Sequence, residues 1–282
     1  MSERLAARFA ALRAQNRAAL IAYVMADDPN PDVSLDILRA LPQAGADIIE
    51  LGFPFTDPMA DGPSIQRAGL RSLKAGGSLK RTLALLAKFR EEDQATPVIL
   101  MGYANPIEQM GYADFAAAAK FAGADGLIAV DIPPEEDSPL RAALQNENIA
   151  LIRMATPTTD AARLPKILEG ASGFVYYVSV TGVTGAKAIG PAAAREAVQR
   201  IKRATDLPVA VGFGVRDAES ARAIAEVADA VVVGSAFVDE IAKAVDADRI
   251  QDAPQNVAHK VKLLADAVHG AARTAQQESA RA

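Results

Sequence analysis

The stretch PVILMGYANPIEQMGYADFAAAAKFAGADGLIAVD, residues 97–131, contains one complete unit of the fold. Its two ends are short and almost entirely apolar, which is typical of parallel strands covered on both faces. The longer segment between them ends at Gly123-Ala124-Asp125, where a glycine in the left-handed conformation would close a helix. The stretch therefore predicts a strand, a crossover helix and a second, parallel strand.

The same unit recurs along the whole chain of 282 residues. Eight apolar runs predict strands: Leu20–Ala26, Asp47–Gly52, Pro97–Tyr103, Gly126–Asp131, Ile149–Ala155, Phe174–Val180, Pro208–Gly214 and Val231–Ser235. They begin about 30 residues apart on average, the length of one strand and one crossover helix. Eight units in succession predict an α/β protein of the (β/α)8 TIM-barrel class, with a doubly wound open sheet as the alternative.

The two ends of the chain favour additional helices. Leu5, Phe9 and Leu12 form an apolar stripe, so we expect an extra N-terminal helix that plugs the bottom of the barrel. The last quarter of the chain predicts a C-terminal helix, followed by a polar, frayed tail beyond Gly270. Because no low-complexity linker divides the sequence, we expect a single TIM-barrel domain over residues 1–282, with the barrel proper at about 18–270.

Composition removes several classes of chemistry. The chain has no Cys and only two His, His259 and His269, both in the expected terminal helix. This argues against disulfides, a thiolate nucleophile, a Ser-His-Asp triad and a His- or Cys-ligated metal site, so we expect no metal. The net charge of −5 argues against nucleic acid. The lack of a long apolar run or a signal-peptide core predicts a cytoplasmic protein without a membrane partner.

The intervals after the second and the sixth strand are the longest, and barrel enzymes build active sites from loops at this face. Glu50 lies in the second strand and shares parity with Ile48 and Gly52. If that parity faces the interior, burial raises the pKa of Glu50 toward neutrality, as a general acid/base requires. Asp61 could supply a second carboxylate. Otherwise, Glu50 pairs with an Arg or caps a loop, and the Asp-Gly dipeptide is an ordinary turn.

Glycines follow three later strands. Thr181–Ala186 contains Gly182 and Gly185 beside small hydroxyl residues, which suggests a mobile lid or a plain flexible loop. Gly212-Phe213-Gly214 and Gly234-Ser235 end the seventh and eighth strands, where barrels commonly bind phosphate. The alternative is that these glycines only make tight turns.

The residues of the apolar runs exclude further types of reaction. No apolar run contains a Lys for a Schiff base, and a metal-dependent aldolase would need more histidines, so proton transfer by carboxylates remains. Several apolar and aromatic residues near strand ends would form a flat pocket for an aromatic group: Tyr23, Phe53, Leu100, Tyr103, Leu127, Met154 and Phe213.

The segment Glu50–Gly62, ELGFPFTDPMADG, resembles the signature of the tryptophan synthase alpha subunit. The resemblance covers residues 18 to 270 and has five further matches in order: Asn105-Pro106, Asp131-Ile132-Pro133, Gly182–Gly185, Gly212–Gly214 and Gly234-Ser235. It implies retro-aldol cleavage of indole-3-glycerol phosphate to indole and glyceraldehyde 3-phosphate, within L-tryptophan biosynthesis.

The resemblance also implies a role for each matching residue. Glu50 would be the acid/base at the cleaved ring carbon, and Asp61 would accept the indole N–H. Thr184 would close the lid toward Asp61. The substrate would contact Tyr176, Phe213, Tyr103 and Leu127, and its phosphate would be held by Gly185, Gly214, Gly234 and Ser235.

A beta subunit is the implied partner, in an alpha2-beta2 heterotetramer that receives the indole. Pyridoxal phosphate would belong to that partner, and no cofactor is expected in this chain. The partner-facing residues would be Pro54, Asp57, Pro58, Asn105 and Pro106.

Three residues depart from the family pattern or lack a role. Val180 stands where some relatives carry Arg, and Asp27 replaces a Gly in a turn that we place away from the two carboxylates. Arg153, inside an apolar run, is expected to make an outward ion pair.

Two other functions stay open on the residues alone. One is another phosphate-binding barrel enzyme, including a flavin-binding one. The other is a binding or regulatory subunit that has lost catalysis, although the presence of both Glu50 and Asp61 argues against it.

Overall fold

The computed structural model describes residues 2–178, 191–212 and 214–272. The predictions for Thr184, Gly185 and Phe213, and the departure at Val180, lie outside these residues. No helix within the described ranges is long and apolar enough to cross a lipid bilayer.

Nine parallel strand segments form one sheet. They are β1 (Ala19–Met25), β2 (Ile48–Gly52), β3 (Val98–Gly102), β4 (Gly126–Ala129), β5 (Ala150–Leu151), β6 (Arg153–Ala155), β7 (Val175–Val178), β8 (Val209–Gly212) and β9 (Ala230–Val233). Their order is β5-β4-β3-β2-β1-β9-β8-β7-β6. The two end segments are halves of the expected fifth strand, interrupted only at Ile152, so the sheet closes on itself. The predicted (β/α)8 TIM barrel is confirmed.

Twelve α-helices are described in these ranges. They are α1 (Glu3–Ala14), α2 (Pro31–Gln43), α3 (Pro63–Lys74), α4 (Leu79–Arg90), α5 (Ala104–Met110), α6 (Tyr112–Ala122), α7 (Ser138–Asn146), α8 (Leu164–Leu168), α9 (Pro191–Lys202), α10 (Ala218–Ala225), α11 (Ser235–Asp246) and α12 (Ala253–His269). The long interval after β2 contains the additional helix α3 before the crossover helix α4. As predicted, α6 ends at Gly123, whose φ of 88° is left-handed.

The interior of the barrel is filled by one side-chain parity of each strand. Ile21, Ile48, Ile99, Ile128 and Ile152 belong to a buried cluster that also contains the stripe of α1, namely Leu5, Phe9 and Leu12. The rings of Phe9 and Phe174 lie 5.9 Å apart between centroids. The N-terminal helix therefore plugs the barrel, as its apolar stripe predicts.

The buried carboxylate of Asp47 lies at the face of the barrel where the strands begin, and it joins the chain ends to that face. Asp47 accepts hydrogen bonds from Arg17 (2.8 and 3.0 Å) and from the N–H of Leu20, and it contacts His269 Nε2 of α12 at 2.9 Å. Burial alone raises the pKa of Asp47, but the hydrogen bonds from His269, Arg17 and Leu20 together lower it. These contacts hold the start of β2 against α12, β1 and the connection between α1 and β1.

Asp47→Asn is expected to lower the free energy of unfolding by about 2 kcal/mol near pH 7, because hydrogen bonds to a buried charge are lost. A lowered folded-state pKa stabilises the protein above the unfolded value of about 4, and this contribution disappears as the pH falls further. Urea titrations should therefore show the two proteins converging below about pH 4. The control Asp36→Asn, whose partner Arg39 is also exposed, should cost less than about 0.5 kcal/mol. Equal losses for both variants would contradict this assignment.

Candidate active site

Glu50 lies inside the mouth of the barrel. It occupies the middle of β2 on the inward parity, between Ile48 and Gly52, and only 1% of its surface is exposed. Its Oε1 atom has no hydrogen-bond partner within the described residues. Burial raises the pKa of Glu50 to about 8. Glu50 therefore faces the barrel interior, and its pKa is raised to near neutrality, as the parity of β2 predicts.

Asp61 is brought to the same mouth by the segment between β2 and α3. Its N–H donates to the carbonyl of Pro58 at 3.1 Å, and the side-chain amide of Gln66 donates to the Asp61 carbonyl at 2.9 Å. Burial raises the pKa of Asp61 to about 6, and the hydroxyl of Tyr103 opposes part of that rise. At pH 7 the two carboxyl groups therefore favour different protonation states, with Glu50 neutral and Asp61 ionised.

Two buried tyrosines flank Glu50. Tyr23 is the register partner of Glu50 on β1, and Tyr176 is on the inner face of β7. Burial raises the pKa of Tyr23 well above 10, and the charges of Asp61 and Glu50 raise it further. Burial followed by the charge of Glu50 has the same effect on Tyr176. Both phenols therefore stay neutral around the carboxyl group, and the predicted position of Tyr176 in the site agrees with this geometry.

Glycines make room for these phenols. A Cβ atom on Gly52 would lie 2.4 Å from the hydroxyl of Tyr23, and one on Gly212 would lie 2.3 Å from that of Tyr176. Since real Cβ atoms do not approach oxygen so closely, any side chain at either glycine would displace a ring. The strand-end glycines therefore shape the pocket as well as the turns.

A helix N-terminus faces the same region. Gly234 is the N-cap of α11, which begins at Ser235, and a Cβ on Gly234 would lie 3.3 Å from the Cβ of Tyr23. Gly214, exposed after β8, has a φ of 85°, which favours glycine. Unpaired N–H groups and the helix dipole at such an end attract anions. The structure therefore brings the predicted glycines Gly234 and Gly214 close to the strand ends that carry the site.

Tyr103 supports the segment that carries Asp61. It is 2% exposed, and its hydroxyl accepts a hydrogen bond from the N–H of Ala60 at 3.0 Å. Its ring lies 5.3 Å from that of Phe55, centroid to centroid. Tyr103 therefore contacts the segment that carries Asp61 at two points.

Leu127 is not brought to the mouth. It is the register partner of Leu100, and both residues pack in the layer between the barrel and the helices. The inward parity on β3 and β4 belongs to Met101 and Ile128. The prediction for Leu127 is wrong by one residue because adjacent strand residues point to opposite faces. Glu50 pairs in register with Ile99, so the residues of β3 that face the interior are Ile99 and Met101.

Phe53 is also excluded from the mouth. It packs in the same outer layer, where its ring fills the space beside Gly102.

The five residues predicted to face a partner differ in exposure. Asp57 and Asn105 are exposed, Pro58 and Pro106 are half-buried, and Pro54 is buried. Met59, beside Pro58, exposes 68% of its surface. The exposed members lie on the segments after β2 and β3, beside the mouth.

Arg153 has an ion-pair partner in the structure. It lies between two inward residues of the fifth strand, Ile152 and Met154, and its guanidinium contacts the carboxylate of Asp137. The side chains of both partners are almost completely buried, so this pair fixes the segment before α7 to the barrel.

Within the described residues, no group of three or more His, Asp or Glu side chains is arranged to hold a metal ion.

The model of one protein family, described as the tryptophan synthase alpha chain, matches residues 9–269.

The chain belongs to the tryptophan synthase alpha chain family. The alpha chain of Caulobacter vibrioides (strain NA1000 / CB15N) is 56% identical over 274 residues, which cover 97% of this chain and 98% of that protein. The alpha chain of Caulobacter sp. (strain K31) is 55% identical over 278 residues, 99% of each. The family consists of lyase subunits of tryptophan biosynthesis, and its reaction is the cleavage of indole-3-glycerol phosphate.

Solved structures of the family agree with this fold. Tryptophan synthase subunit alpha from Legionella pneumophila str. Paris superimposes with a TM-score of 0.87 at 38% identity, covering 95% of this chain and 98% of that one. A chain of Mycobacterium tuberculosis tryptophan synthase gives 0.86 at 36% identity, with coverages of 95% and 99%.

Gly52→Ala is expected to lower both the melting temperature and activity, because the new methyl group collides with the hydroxyl of Tyr23. Adding Tyr23→Phe removes the colliding oxygen and should recover part of the lost stability. The control is Gly62→Ala, where a Cβ would meet nothing within 4 Å. Calorimetry on the wild-type chain, the two single variants and the double variant gives the melting temperatures to be compared. A Gly52→Ala variant as stable as Gly62→Ala would show that the contact does not constrain the site.

Proposed function

We propose that Glu50 and Asp61 perform the retro-aldol cleavage of indole-3-glycerol phosphate to indole and glyceraldehyde 3-phosphate in this chain. The observation that carries the proposal is the pair of carboxyl groups at one barrel mouth, with pKa values raised to about 8 and about 6. This difference supplies one proton donor and one anion at neutral pH, as the reaction requires.

The first step is proton transfer to the indole ring. Protonated Glu50 donates to the ring carbon that carries the glycerol chain, and the ring nitrogen becomes cationic. The carboxylate of Asp61 accepts a hydrogen bond from the indole N–H and stabilises that charge. In a site where burial limits solvent screening, this interaction is stronger than it would be in water.

The second step breaks the carbon–carbon bond. The Glu50 carboxylate removes the proton from the hydroxyl on the chain carbon next to the ring. That carbon becomes the aldehyde, the electron pair of the broken bond returns to the ring, and indole leaves. Glu50 is protonated again at the end, so the cycle needs no external proton.

The remaining residues bind and enclose the substrate. We assign the indole pocket to Tyr176, Tyr103 and the inward side chains Met101 and Ile128, together with Phe213. Gly214, Gly234 and Ser235 provide the phosphate site at the start of α11. Gly185 and Thr184 lie outside the described residues, and for them we retain the roles that the resemblance implies, in phosphate binding and in closing a lid toward Asp61.

A beta subunit is the proposed partner, in an alpha2-beta2 assembly. Indole is apolar and uncharged, so direct transfer prevents its loss by diffusion. The exposed residues Asp57 and Asn105, with Pro58 and Pro106, would contact that subunit, and buried Pro54 would shape the segment. Pyridoxal phosphate belongs to the partner, and this chain uses no cofactor. We place the protein in the cytoplasm, as one barrel domain over residues 1–282.

Glu50→Gln is expected to reduce indole release from indole-3-glycerol phosphate by about 1000-fold or more, because the amide cannot transfer the proton. Asp61→Asn should reduce it by about 100-fold, because the neutral amide no longer stabilises the cationic ring. Both variants should still bind glycerol phosphate, since the phosphate site is at α11. Turnover by Glu50→Gln at the wild-type rate would overturn the proposal.

The pH dependence of kcat/KM should be bell-shaped. Glu50 must be protonated, so activity falls as the pH rises above about 8, and Asp61 must be ionised, so activity falls below about pH 6. Asp61→Asn should lose the acidic limb and keep the alkaline one. An alkaline limb that disappears in Asp61→Asn instead would reverse the two assignments.

A further inference from the structure

A buried ion pair joins the turn after β1 to α3. Arg71 Nε donates to Asp28 Oδ1 at 2.7 Å, and Arg71 Nη2 donates to Asp28 Oδ2 at 2.8 Å. Asp28 is completely buried, and 18% of the Arg71 side chain is exposed. The next residue, buried Ser72, donates its hydroxyl to the carbonyl of Ala26 at 2.6 Å. Two successive residues near the end of α3 are thus fixed to the turn.

Asp61 lies just before the N-terminus of α3. The helix starts at Pro63, two residues after Asp61, and Gln66 in its second turn holds the Asp61 carbonyl. A hydrogen-bonded helix of three turns moves largely as a rigid body. We therefore expect a shift at Arg71 to move the backbone of Asp61.

The middle of α3 packs on the strand next to Glu50. Ala68 lies in a buried cluster with Tyr23 and Met25 of β1. Tyr23 is in turn the register partner of Glu50 on β2. The turn at Asp28, the strand β1 and the helix α3 therefore form one frame that connects the two carboxylates.

This geometry links the turn at Asp27-Asp28-Pro29, which the sequence places away from the carboxylates, to both of them through β1 and α3. Asp27 has a φ of 58°, in the left-handed region that favours glycine. Its N–H donates to Ser34 Oγ at 3.0 Å, and its carboxylate lies 3.5 Å from Arg81. The turn is thus held by two helices, α2 and α4, besides α3.

We propose that the Asp28–Arg71 pair positions Asp61 for the cleavage step, an inference that rests on the proposed function. The planar fork of Arg71 fixes both the distance and the rotation of α3 relative to β1, which a single contact would not do. Asp28 and Arg71 act through Asp61, so they are positioning residues and not catalytic ones. A misplacement of Asp61 by a fraction of an ångström is enough to slow the reaction.

Arg71→Lys is the decisive variant, because it keeps the charge opposite Asp28 but loses the bidentate geometry. In the full chain, assayed with and without a beta subunit, we expect kcat to fall on the order of tenfold and KM to rise in step with the weaker probe binding described below. The same substitution in an Asp61→Asn background should have almost no further effect on kcat. Such non-additivity shows that Arg71 acts through Asp61.

A binding measurement makes the test independent of residual activity. The probe is 3-(indol-3-yl)propyl phosphate, which lacks the hydroxyl groups that cleavage needs. Calorimetry should show weaker binding for Arg71→Lys than for wild type, and no such difference between Asp61→Asn and the double variant. Glycerol phosphate should bind all four proteins equally.

Arg90→Lys is the matched control. Arg90 is buried and holds Asp125 at 2.9 Å on the opposite face of the barrel, far from the mouth in the fold. It should lower the melting temperature without changing kcat or probe affinity. Normal kcat and probe affinity in Arg71→Lys, or effects that add fully to those of Asp61→Asn, would overturn the inference. A wild-type chain that releases no indole would instead overturn the proposed function.

Discussion

The burial of one carboxyl group inside a closed barrel is the constraint on which the site depends. Glu50 faces an interior that is otherwise filled by apolar side chains, and burial raises its pKa to about 8. Ionising such a group without a partner costs several kcal/mol, so the group stays protonated at neutral pH. The plug of α1 fills the barrel interior below Glu50. The packing of the fold thus sets the acidity of the residue.

The two ends of the barrel use charge in opposite ways. On the N-terminal face, Asp47 and Asp125 are satisfied by arginines and backbone N–H groups. They also bind Arg4 of α1 and His269 of α12, which joins the terminal helices to the strands. At the mouth, the carboxyl groups are desolvated without a compensating cation from the described part of the chain, and their pKa values rise. A paired carboxylate stabilises the fold, whereas an unpaired one is available for proton transfer.

The ion pair of Asp28 and Arg71 lies between these two cases. It has the bidentate geometry of a structural pair, yet it joins the turn after β1, the strand that pairs with the strand of Glu50, to α3, the helix that follows Asp61. Proximity in the reaction depends on such supports, because the two carboxylates come from different elements and no hydrogen bond links them among the described residues. Tyr103 supports Asp61 from the other side through Ala60.

The sequence by itself determined the repeat of strand and helix and the plug of α1, and it predicted the two carboxylates that we propose as catalytic. Each of these features depends on a local periodicity or on a contiguous motif, so residues close together in the sequence are enough to predict it. Only the tertiary structure decided the pKa values, because they depend on what surrounds each group. It also decided that Met101 and Ile128, not Leu100 and Leu127, face the interior. A shift of one residue reverses the face of a buried strand, and a strand that is apolar on both faces carries no alternation to reveal it. The contact of Asp28 with Arg71 spans 43 positions, so no local pattern could show it.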